Sequence, residues 1–110
     1  MAGIALLVTG LASTSPVAAF NPERGKQLVR THCARCHAIG KAGQSPLAIA
    51  PPFRSLHERY PVETLQEALA EGIVTGHPDM PEFRFAANEV GDIIAFLKTL
   101  ERRAAGSANH

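Results

Sequence analysis

The feature that most constrains this chain is Cys33-Ala34-Arg35-Cys36-His37, which holds both of its cysteines and an imidazole directly after the second. The sequence is 110 residues long, room for one domain. A domain of that size buries little apolar surface. It leans on a disulfide, a metal or a bound group to stay folded. Whatever these three side chains hold is therefore the staple of the fold.

Cys-x-x-Cys-His is the spacing used for covalent attachment of haem. The preceding ERGKQLVRTH reads as helix. If the motif ends that helix, residues three apart face one side. Both thiols then reach the two vinyl groups on one porphyrin edge and form thioethers, and His37 turns its imidazole under the iron. Three readings compete. A Cys33–Cys36 disulfide closes a tiny loop and constrains the unfolded chain little. A thioredoxin-like pair wants a preceding strand and a βαβ context. Zinc wants four ligands at recognisable spacing, and the spare imidazoles His32, His57 and His77 form no close pair.

An iron held by His37 needs a second axial ligand. The methionines are Met1 and Met80. Met80 lies in Gly76-His77-Pro78-Asp79-Met80-Pro81, where two prolines cannot continue a helix. Such a loop holds a sulfur in place with little backbone freedom. Met80 is the expected distal ligand and His77 the runner-up; a soft core filler is the bland alternative for a lone methionine. Methionine opposite histidine raises the haem potential and fills both axial positions.

The front of the chain reads as an address label. Gly3 to Ala12 form an apolar run, with small residues at Val17 and Ala19, as before a signal-peptidase cut. The run is short for a bilayer span. The expected organisation is a signal peptide over 1–19, a domain over 20–103 and a loose tail over 104–110. An uncleaved anchor is the competing reading, and no Lys or Arg precedes the run. The formal net charge of +1 argues against a nucleic-acid protein.

Helical patterning fills the rest. Asn21 suits an N-cap, Pro22 the first turn and Glu23 the positive helix end, giving a helix from Pro22 to Cys36. Gly25, Leu28, Val29 and His32 share one face of it. Leu65, Ala68 and Leu69 give a buried face to a helix over Val62 to Glu71, which Gly72 ends. Val90, Ile93, Phe96, Leu97 and Leu100 form the stripe of a last helix, Asn88 to Arg102, with Asn88 as N-cap. The connection after the motif reads as loop, broken by Pro46, Pro51 and Pro52, with a short helical turn near Phe53 to Arg59.

Four pieces stand in order: a helix leading into CARCH, Ala50-Pro51-Pro52-Phe53, the Met80 loop, and the final DIIAFLKTL. The ordered set, spanning Asn21 to about Arg103, resembles the class I monohaem c-type cytochromes of the bacterial periplasm. The resemblance implies an all-α fold, three to four helices wrapped around one covalent haem c. It implies that Gly25 meets the Phe96 ring where the first and last helices cross. It implies a proline carbonyl on the His37 ring N–H, from Pro51 or alternatively Pro46. Phe53, Tyr60, Phe83 and Phe85 would wall the haem, and Tyr60 and Arg54 are candidate donors to its propionates.

The function implied is a periplasmic electron carrier, not an enzyme. A cytochrome subunit of a larger oxidoreductase is the alternative, and a haem sensor with an open iron site a lesser one. The expected partners are redox proteins, with no nucleic acid and contact with membranes only through partners; a monomer is expected. From Glu23 to Lys41 the charges are Arg24, Lys26, Arg30, Arg35 and Lys41 against Glu23, whereas acidic residues predominate from Glu58 to Glu89. A positive side near the motif would suit an acidic docking face on a partner.

Overall fold

A computed structural model describes residues 3–4, 19–72 and 80–108, with side chains described as far as Glu101. The described residues are helical and contain no strand. Most of the proposed signal segment, and His77 with its neighbours, lie outside them.

Helix α1 spans Pro22–His32. It starts where expected: the Asn21 carboxamide oxygen accepts the N–H groups of Glu23 (2.9 Å) and Arg24 (3.2 Å), and Pro22 occupies the first turn. It ends four residues earlier than the pattern suggests. The Val29 carbonyl accepts both the Cys33 N–H (2.7 Å) and the Ala34 N–H (3.1 Å), which widens the last turn and breaks the regular ladder. A separate turn follows, with the N–H groups of Cys36 (3.1 Å) and His37 (3.0 Å) donating to the Cys33 carbonyl. The motif is thus a turn stacked on the helix end, not helix.

Two 3₁₀ helices, Phe53–Glu58 and Val62–Leu65, lead into helix α2, Gln66–Glu71. The expected middle helix therefore begins as 3₁₀, where Pro61 fixes the entry and its carbonyl takes the Thr64 hydroxyl at 2.7 Å. Gly72 ends α2 at φ 108, a conformation that favours glycine.

Helix α3 spans Ala87–Ala108. Its start is one residue earlier than expected. The Glu89 carboxylate reaches back to the Ala86 N–H at 2.9 Å, so Ala86 stands at the cap and Asn88 lies exposed inside the first turn. At its other end the backbone stays helical to Ala108, into the segment read as a loose tail. Ala104 and Ala105 favour that continuation.

The core joins Val29 of α1, Leu56, Val62 and Leu69 of the middle, Phe85, and Val90, Ile93, Ile94, Phe96, Leu97 and Leu100 of α3. Helix α3 contacts α1, α2 and both 3₁₀ helices. That explains why its buried face is wider than one stripe and includes Ile94. The crossing of α1 on α3 differs in detail from expectation. A Cβ on Gly25 would overlap the Asp92 carbonyl and come within 2.9 Å of the Ile93 N–H nitrogen. The nearest atoms to Gly25 are thus backbone of Asp92 and Ile93, which makes the approach of α1 to α3 too close for a side chain there. The ring-on-glycine contact exists elsewhere: Phe20 lies against Gly91.

Candidate functional site

The site is assembled by the turn after α1 and the loop that returns to it. Leu47 donates its N–H to the Cys36 carbonyl (3.1 Å), and Phe53 donates to Ala38 (2.9 Å). The Ser45 hydroxyl accepts the Ala38 N–H at 3.0 Å. Arg54 donates from its guanidinium to the Gly43 carbonyl at 2.8 Å. These bonds strap the proline-rich segment beneath His37. The Pro51 carbonyl then lies 2.8 Å from His37 Nδ1. Residues before a proline are confined to extended backbone, so Pro52 stiffens the direction of that carbonyl.

This contact decides the tautomer. A carbonyl only accepts, so Nδ1 carries the proton and donates it, and Nε2 keeps its lone pair. The ring also lies against Phe53, centroid to centroid 4.8 Å, tilted by 38°. Cys33 and Cys36 are half-buried and unpaired with each other. Burial pushes the Cys33 thiol up to about 11. No cluster of three His, Cys, Asp or Glu able to hold a metal ion occurs among the described residues. The donor set fits a porphyrin: two unpaired thiols three residues apart and an imidazole with one nitrogen taken by Pro51, with Phe53 against the imidazole ring.

Met80 is half-buried and begins the segment that returns to α3. The base of its loop is pinned. Phe85 donates its N–H to the Leu69 carbonyl at 2.9 Å. Gly72 sits against the Glu82 side chain, so closely that a Cβ there would overlap the carboxylate. Phe83 and Phe85 stack at 5.8 Å. Of the other residues singled out from sequence, Tyr60 is 37% exposed, and Arg54 commits one nitrogen to its own loop.

Three positions make contacts that the sequence reading did not assign, His32 having been placed only on one face of the first helix. His32 packs edge-on against both Phe83 (5.5 Å) and Phe85 (5.4 Å). Asp92, 4% exposed, accepts the Asn21 N–H at 2.7 Å and lies 4.0 Å from the Arg24 guanidinium. A carboxylate inside the apolar run VGDIIAF was the available signal for it, because a buried charge requires partners. Phe20 was seen only as the residue after the expected cut.

Comparison with known proteins gives the family. The family profile described as Cytochrome c matches residues 22–101. The chain is 32% identical over 98 residues to cytochrome c-552 of Bradyrhizobium diazoefficiens, covering 89% of this chain and 92% of that protein. It is 30% identical over 79 residues to a cytochrome c-553-like protein of Synechocystis sp., covering 71% of this chain and 68% of that one. The chain belongs to the cytochrome c family, an electron-transfer haem protein whose Cys33-Ala34-Arg35-Cys36-His37 motif fits covalently attached haem c.

Proposed function

We propose that this chain is an exported, periplasmic one-electron carrier with its haem iron held between His37 and Met80. The observation that carries the reading is the 2.8 Å bond from His37 Nδ1–H to Pro51, which leaves Nε2 bare and holds the ring still. Such a bond also raises the basicity of the ligating nitrogen. When bound, the haem supplies one iron that alternates between ferric and ferrous states. Cys33 and Cys36 would tether it by thioether bonds, and His37 Nε2 and the Met80 sulfur would hold its iron. With both protein ligands bound, no place would remain for oxygen or peroxide, so no substrate chemistry is expected. The remaining N–H groups of Arg54 and the Tyr60 hydroxyl are the candidate donors to the propionates, with Phe53, Phe83 and Phe85 excluding water.

Export rests on the apolar Gly3–Ala12 run and the small residues at Val17 and Ala19. Packing onto α3 begins, among the described residues, at Phe20, the first residue after the proposed cut. No helix of the described residues is long and apolar enough to cross a membrane. Arg24, Arg30, Arg35 and Lys41, in the stretch of sequence that carries the attachment motif, are exposed, and such a basic stretch would suit a partner with an acidic face. A subunit bound permanently to one enzyme is the second reading, favoured by exposed Leu47 and Ile49 on the loop beside the motif.

Acid-acetone extraction of the mature protein, followed by a redox titration read in the visible spectrum, tests the proposal. The pigment should stay with the polypeptide and titrate as a single one-electron wave. Extraction of the pigment, or a chain that carries none, refutes it.

A further inference from the structure

The segment leaving Met80 is held at one further point that its own loop does not supply. His32 closes α1, one residue before Cys33. Its imidazole meets Phe83 at 5.5 Å and 62°, and Phe85 at 5.4 Å and 74°, while the two phenyl rings stack on each other at 29°. Both contacts with the imidazole are edge-to-face, the arrangement in which the electron-poor rim of one ring meets the electron-rich face of another. His32 is exposed, so it is not filling the core. An imidazole suits that place because one edge can stay in water while the other touches the rings.

The position matters because of what stands on either side. Two residues, Pro81 and Glu82, separate Met80 from Phe83, so the chain between them reaches about 10 Å at most. Fixing Phe83 therefore confines the sulfur to a small volume. On the other side His32 is bonded to Cys33, an attachment point of the porphyrin. The path Cys33–His32–Phe83–Met80 thus links the haem tether to the sixth ligand. The backbone bond to Leu69 and the contact with Gly72 tie the segment to α2, and Phe85 also joins the core shared with α1 and α3.

We propose that His32 is a positioning residue for Met80, holding the segment after it in register with the haem attachment turn through its contacts with Phe83 and Phe85. This rests on the reading of Met80 as the distal ligand. His32 touches neither iron nor porphyrin in this role and acts through the two phenyl rings.

The test uses the haem-bearing protein. The far-red sulfur-to-iron band, scaled to the main haem band, is measured with the reduction potential and with ferrous carbon monoxide uptake. Met80→Ala must abolish the band. His32→Ala should then raise the fraction of methionine-free iron roughly tenfold, the order expected for loss of aromatic pairs. It should lower the potential and admit carbon monoxide, while His32→Phe restores all three. Phe83→Leu tests the same contact from the other side should His32→Ala fail to fold. If Met80→Ala removes the band while His32→Ala and Phe83→Leu leave it at the wild-type level, the positioning role is wrong and the ligand reading stands. The positioning role also fails if His32→Phe is as defective as His32→Ala. If the band survives Met80→Ala, the ligand reading fails and takes the positioning role with it.

Discussion

The two sides of the proposed iron site are held by different means. On the attachment side, backbone bonds from Leu47 and Phe53, the Ser45 hydroxyl and the Arg54 guanidinium strap one short loop under His37. A proline pair then aims the carbonyl that orients the ring. On the Met80 side the described contacts gather at the base of the loop: Phe85 on Leu69, Gly72 on Glu82, and rings on His32. The lesson is one of division. The described contacts hold His37 through its covalent neighbours and a strapped backbone, whereas those of the segment after Met80 combine one backbone bond with side-chain packing, which is more easily tuned.

That contrast can be broken most sharply by removing each ligand in turn. His37→Ala strikes the stiff side, so folded, haem-bearing protein should fall to a trace of the wild-type yield, measured by haem stain and visible absorption. Met80→Ala should still accumulate as folded holoprotein, with an iron that takes up carbon monoxide. The reverse ranking would overturn the comparison.

Gly25→Ala comes next, because it drives a methyl group into the Asp92 carbonyl where α1 crosses α3. A loss of about 1–3 kcal/mol or more is expected, since the obstacle is backbone. Both sides depend on that crossing, so helix and haem signals should melt together at a lower temperature. Gly72→Ala is more selective. Its positive φ disfavours any side chain, at about 1–3 kcal/mol, and its neighbour Glu82 belongs to the Met80 segment. The far-red band should disappear on heating well before the helical signal does.

The smallest effect belongs to neither side. Lys98 reaches from α3 to Glu63 at 2.6 Å and to Glu101 at 3.5 Å. The Lys98 hydrogen bond holds the Glu63 carboxyl below its ordinary range, and the Glu63 hydrogen bond raises Lys98. Glu63's contribution is therefore present above the ordinary carboxyl range and fades as acid protonates the folded form. That of Lys98 is present below the ordinary lysine range and fades in alkali. Both groups are exposed, so solvent screens the pair. Lys98→Met should shift the melting temperature only slightly near neutral pH, and not at all in strong acid.

Much of this organisation was legible in the sequence. The cysteine motif, the proline-rich return and the apolar stripe of α3 are local patterns with local causes. The choice of Pro51 over Pro46 was legible only through family resemblance; the strapping bonds that bring Pro51 to His37 supply the physical reason. The misread points share a different cause. The early end of α1 depends on one carbonyl, Val29, taking two donors, which no periodicity encodes. The start of α3 depends on Glu89 reaching back to Ala86, a choice that competed with a plausible Asn88 cap. The partner of Gly25 and the ring contacts of His32 are long-range pairings, fixed by where helices cross and where a distant segment returns.

Carbon monoxide added to the dithionite-reduced wild-type protein puts the central claim to its most direct trial. With imidazole and thioether both bound, the visible spectrum should stay unchanged at neutral pH over the time of the titration. Prompt conversion to a carbon monoxide adduct would mean an open iron coordination position, and the account of a two-ligand electron carrier would be wrong.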